Sequence, residues 1–180
     1  MWGTAMSFSI QAGRPVVRAC GSAADMADAV GQMYPCEAED AVLVWNLVPV
    51  RLSYGHDVAA LLDDLVPLLE AIRQPGCTRA EVFWGSDTFS AEWGIVREGE
   101  ALRIRARWHS TLGNYESLLA ERGDVVVPVR DFTDAWAKVL RRIVTDIEAE
   151  CVELEDADLF RRAGALLAPP PPVRSHAAPA

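Results

Sequence analysis

Between Asp146 and Asp158 the chain carries seven carboxylates and no base: Asp146, Glu148, Glu150, Glu153, Glu155, Asp156 and Asp158. Carboxylates this dense can hold a general acid and a general base, but glycoside chemistry needs a cleft and a defined separation that spacing alone does not supply. They can form a solvated acidic edge, or they can present a docking patch for a basic protein, steering association by charge. Of the 26 acidic residues in the chain these are seven, and the other 19 exceed the 17 bases by only two. Most of the net charge of −9 is therefore concentrated in one window.

Three other groups invite chemistry. Ser53-Tyr54-Gly55-His56-Asp57 brings a serine, a histidine and an aspartate together. A nucleophilic triad is defined by spatial geometry, and no GxSxG elbow is present, so an N-cap role for Asp57 and a surface role for His56 account for the cluster. Arg103, Arg105 and Arg107, followed by His109, form an arginine ladder that could grip phosphates. The acidic balance argues against nucleic acid, which calls for a basic footprint. Cys20, Cys36, Cys77 and Cys151 show no CxxC and no histidine at ligand spacing, and His109 and His176 are isolated. The pattern predicts reduced thiols, no metal and no cofactor.

These residues need elements to place them. Phe89–Ser110 folds as a hairpin with a turn at Glu98-Gly99, pairing Ile95 with Leu102, Trp93 with Ile104, Ala91 with Ala106 and Phe89 with Trp108. That register sends the apolar residues to one face and sets Glu92 across from Arg105 on the other. Ser22 is expected to cap a helix through Met33, and Asp57 one with a Leu61–Ile72 stripe, kinked at Pro67 and stopped by Pro75-Gly76. Ala41–Tyr54 reads as extended chain, and Val125–Val129 as a strand. Asp131 is placed as the cap of a long amphipathic helix whose stripe runs from Phe132 to Ile147, and Asp156 as the cap of a last helix near 157–167. The order predicts an α+β fold, an antiparallel sheet of hairpins with helices packed mainly on one face.

A chain of 180 residues with 51% apolar and 24% charged residues is expected to form one domain over 6–167. A short extension, 1–5, precedes it, Met6 being an alternative start, and a Pro-rich tail, 168–180, follows. "MWGTAMSFSI" has no secretory pattern and no apolar run approaches a membrane span, so the expected location is the cytoplasm, with no membrane partner. Trp84, beside the loop Gly85-Ser86-Asp87, is the tryptophan expected to reach the surface; with Asp87 it joins the seven carboxylates as a candidate partner contact.

Three segments, "WNLVPVRLSYGHDVAALLDDLVPLLEAI", "AEWGIVREGEALRIRARW" and "VPVRDFTDAWAKVLRRI", together resemble small immunity proteins of bacterial polymorphic toxin and contact-dependent competition systems. The resemblance spans roughly residues 41–147, and no family residue is carried over to a position here. It implies a non-enzymatic inhibitor that binds a cognate toxin domain, and the acidic window makes a basic toxin the expected partner. The alternatives are a small ligand-binding or hydrolase-like enzyme domain, and an adaptor or assembly protein; a homodimer stays open.

Overall fold

Strict alternation of buried with half-buried residues along Ala41–Trp45 (β3), and of buried with exposed residues along Val48–Leu52 (β4), builds a tight hairpin. Its two turn residues, Asn46 and Leu47, both have positive φ, the requirement of a type I′ turn. Leucine is a poor occupant of that region, but Asn46 clamps the turn by donating to the carbonyls of Arg122 (3.0 Å) and Asp124 (3.1 Å). The indole of Trp45 adds a bond to the Gly123 carbonyl at 3.0 Å. Phe8–Gln11 (β1) completes this three-stranded antiparallel sheet in the order β1-β3-β4. The computed structural model describes residues 7–168. The extension 1–5 and, apart from Ala168, the Pro-rich tail lie outside them, as does His176.

The larger sheet has four antiparallel strands, Arg79–Gly85 (β5), Phe89–Glu98 (β6), Ala101–Thr111 (β7) and Val125–Pro128 (β8), in chain order. The two faces of the β6–β7 hairpin are as expected, but the register differs by two residues. Ile95 pairs with Ile104, Trp93 with Ala106 and Ala91 with Trp108, and an irregularity at Ser90/Ala91 then sets Phe89 opposite Thr111. The turn is Gly99-Glu100, with glycine first and at positive φ, as in a type II′ turn. A slip of two keeps every side chain on its face, so the apolar pattern alone does not distinguish the two registers. Glu92 consequently lies across from Arg107 rather than Arg105.

Helices cover the inner face of this sheet. Met26–Met33 (α1) is capped by Asp25, whose carboxylate accepts from the Asp28 amide; Ser22, expected as the cap, lies in the short strand Ser22–Ala23 (β2). A π-helical turn, Tyr54–Val58, leads into Ala59–Arg73 (α2). Arg97 caps the far end of α2, donating to the carbonyls of Ile72 (2.8 Å) and Gln74 (3.2 Å). Glu116–Arg122 (α3) precedes β8. Val129–Ala149 (α4) starts directly after Pro128, so Asp131 sits in its first turn rather than at its cap. Glu153–Leu154 (β9) pairs in parallel with β2, and Asp158–Leu167 (α5) closes the fold.

Trp93 stands at the centre of the core. Its ring centroid lies 5.3 Å from Trp45, 5.3 Å from Trp84 and 6.1 Å from Phe8, joining both large sheets. Trp136 of α4 packs on Trp84 at 6.0 Å, and Phe132 on Phe8 at 5.1 Å. Burying side chains of this size contributes about 1.5–3 kcal/mol each, so this cluster is a main source of stability. It also corrects one expectation. Trp84 is fully buried, because along β5 Arg79, Glu81, Phe83 and Gly85 share the exposed face while Trp84 points inward.

Candidate functional site

The carboxylate window becomes a corner built by three local devices. Helix α4 ends in a Schellman motif: the Cys151 amide donates to the Glu148 carbonyl and the Val152 amide to the Ile147 carbonyl, both at 3.2 Å. Cys151 occupies the left-handed position, with φ 53°, where glycine is usual. The chain then turns onto β2, with the amides of Glu153, Glu155 and Asp156 donating to the carbonyls of Gly21, Ala23 and Ala24. Strand geometry directs Leu154 toward the core and leaves Glu153 and Glu155 exposed together.

Six of the seven carboxylates are exposed, and five of them, Glu148, Glu150, Glu153, Glu155 and Asp156, form this corner, the sixth, Asp158, standing at the start of α5. Among the described residues none of the five takes part in an ion pair. The C-terminal end of the α4 dipole adds negative partial charge at the same place. Such a corner favours a cation from outside. Asp156 also accepts from the Asp158 amide at 2.8 Å, which fixes the entry to α5.

The other candidate residues have different roles. Asp146 is buried, accepts a 2.7 Å hydrogen bond from the Tyr34 hydroxyl and lies 3.7 Å from Arg142. Burial first, and the bond to Asp146 second, push the Tyr34 phenol well above its ordinary range, so it stays a neutral donor. Asp146 is thus a packing anchor between α1 and α4, not a surface contact. Asp158 pairs with Arg161 and Arg162. Arg162 also grips Glu70 with two bonds, 3.0 and 2.7 Å, fastening α5 to α2 and holding the Glu70 carboxyl below the usual range. Asp87 is exposed in the β5–β6 turn and lines a separate groove, described below.

The arginine ladder lies on the open outer face of the four-stranded sheet and is internally balanced. Arg103 is held by Glu98 at 2.8 Å, Arg105 faces Asp124 at 3.6 Å, and Arg107 and His109 both face Glu92. The absence of a side chain at Gly94 leaves a dent of about 480 Å³ beside Phe83, Arg105 and Arg107. Exposed pairs of this kind add little to stability, but they neutralise the face.

The serine, histidine and aspartate near residue 55 do not form a relay. Asp57 is buried and accepts from the Ser53 amide (2.8 Å), the Thr88 hydroxyl (2.6 Å) and the Ser86 hydroxyl, tying the π-helical turn to the β5–β6 turn. It is not the cap of α2 expected of it: it lies inside the π-helical turn, its carboxylate turns back to the Ser53 amide, and no side chain caps the start of α2. His56 points elsewhere, toward Cys36. Among the described residues no group of three or more His, Cys, Asp or Glu side chains could hold a metal ion. No described helix is long and apolar enough to cross a membrane.

One surface was not legible in the sequence. Asn46 carries Leu47 to the C-terminal end of α3, and Leu47, Leu112, Tyr115 and Leu118 of this region are all exposed. Their signal was apolar residues at solvent positions of a short helix and its flanking turns, which becomes readable only once those turns are placed. Compared with protein-family models, curated proteins and solved structures, the chain matches none.

Proposed function

We propose that this chain is a non-enzymatic binding protein that neutralises a bacterial toxin domain, taking a basic face of that partner on the corner formed by Glu148, Glu150, Glu153, Glu155 and Asp156. The observation that carries this reading is a contrast. The arginine-rich face is neutralised within the molecule, whereas these five exposed carboxylates have no cationic partner among the described residues. Backbone bonds to β2 and the Schellman turn hold the corner in shape, so little ordering entropy is lost on binding. Charge of one sign at a fixed site raises the rate of encounter with a basic domain and selects against acidic ones.

The test is first whether the gene immediately upstream encodes a large secreted protein with a short toxin-like C-terminus, and then co-expression of that C-terminal domain with this chain. The reading expects cells to survive that domain only when this chain is present, and the two to co-purify. Survival without this chain, or neither protection nor co-purification, would overturn it.

A further inference from the structure

Cys36 and His56 lie twenty residues apart in sequence, yet the Cys36 Sγ is 3.2 Å from the His56 Nε2. One contact brings them together. The π-helical turn presses Gly55 against the Tyr34 carbonyl so closely that a β-carbon there would sit 2.4 Å from the oxygen. Tyr34 is itself locked by its bond to Asp146, and Cys36 follows two residues later, in a turn closed by the Ala38 amide on the Pro35 carbonyl at 2.9 Å. On the other side, Asp57 fixes the residue next to His56 through three hydrogen bonds. Both side chains are exposed, and His56 lines a groove of about 670 Å³ between α1, α2 and the β5–β6 turn. The neighbouring Glu37, whose charge would disfavour a thiolate, is paired with Arg18 at 2.6 Å.

From this geometry we infer that Cys36 and His56 form a reactive thiol–imidazole pair, a modification site for low-molecular-weight disulfides, independent of the toxin-binding corner. With Nδ1 carrying its hydrogen, Nε2 is free to accept the thiol proton. The Cys36 thiolate then attacks one sulfur of a disulfide R–S–S–R. A new S–S bond forms to Cys36 as the old one breaks, and the departing thiolate takes the proton from His56 and leaves as R–SH. The sulfur of Cys36 is oxidised, the departing sulfur is reduced, and a free thiol reverses the step. The adduct stands beside His56, which lines the groove.

Cys151 supplies an internal comparison: it is an exposed thiol in the same chain with no histidine beside it among the described residues. At pH 6.5 an unassisted thiol with a pKa of about 8.5 is only ~1% thiolate, so a base in contact has a large effect there. The experiment incubates the full chain with glutathione disulfide at pH 6.5 and follows each cysteine by peptide mass spectrometry, with iodoacetamide as a second probe. Cys36 is expected to react on the order of tenfold faster than Cys151. His56→Gln should bring Cys36 down to an ordinary rate while leaving Cys77 and Cys151 unchanged. Equal rates at Cys36 and Cys151, or a Cys36 rate unaffected by His56→Gln in a variant with unaltered circular dichroism, would overturn the inference. A uniform rise at all cysteines in His56→Gln would instead report loosening of the fold. In that case Cys36→Ser must abolish the fast phase of the wild-type chain, and a fast phase that persists refutes the assignment.

Discussion

Asp146 and Glu148 are two residues apart on one helix, both acidic, and should respond to alanine in opposite ways. Asp146→Ala removes the acceptor of the Tyr34 hydroxyl, whose residue is only 2% exposed. A buried O–H left without a partner costs about 1–3 kcal/mol. Losing the half-exposed contact with Arg142 at 3.7 Å adds at most ~1 kcal/mol. The total, roughly 1–4 kcal/mol, lowers the Tm by on the order of 2–16 °C for a domain of this size. Glu148→Ala should stay within about 0.5 kcal/mol of wild type, because Glu148 is exposed and has no ion-pair partner. Urea or thermal denaturation followed by circular dichroism reads both. Tyr34→Phe completes a double-mutant cycle, and the double variant should be less destabilised than the sum of the singles, since neither polar group is then left alone. The reasoning fails if Asp146→Ala is no more costly than Glu148→Ala, or if the cycle is additive.

Other outcomes follow from the same contacts. Tyr34 and Tyr54 are both pushed above their ordinary range, burial being the first cause in each. Their contribution is full below pH ~10 and is lost above it as the unfolded chain ionises, by up to about 1.4 kcal/mol per pH unit for each. Urea titrations between pH 9 and 11 should show that decline, and Tyr54→Phe should reduce its slope. Glu70 is held low by Arg162, so its contribution is present above about pH 4.3 and fades as pH falls through the depressed folded value. The pair is partly exposed, which limits the effect to ~1 kcal/mol, and Glu70→Gln should remove that part of the acid dependence. Cys151→Gly should stabilise the domain by roughly 0.5–1 kcal/mol, because it relieves a left-handed φ at the end of α4; a loss of stability would show that the cysteine side chain matters there.

What could be read from the sequence divides along a physical line. Alternation along β6 and β7 fixed which residues face the core, including Trp93, since side-chain parity survives even a two-residue slip. The register itself turned on whether Gly99 stands first or second in the turn, a choice the apolar pattern does not make. The same alternation in β5 sends Trp84 inward, although the residues that follow it, Gly85-Ser86-Asp87, lead into a turn, so strand parity rather than closeness to a loop decides its burial. The β2–β9 bridge has only two residues in each strand, too few for any period, so Ser22 looked like a helix cap. Tyr34 with Asp146, and Cys36 with His56, meet only through tertiary packing. Composition could locate the acidic window, but only the fold separates its inward member, Asp146, and the ion-paired Asp158 from the five that face solvent unpaired.

That separation can be tested at the partner surface. Glu148, Glu150, Glu153 and Glu155 are reversed to lysine together, and association with the toxin domain that co-expression identifies as the partner is measured by stopped-flow across ionic strength. The account predicts a fast association with wild type that slows steeply as salt is added, and a much slower, nearly salt-independent association with the reversed variant. An unchanged rate and affinity in a folded variant would contradict the acidic corner as the docking site, and loss of binding in Leu118→Asp instead would move that site to the apolar surface around α3.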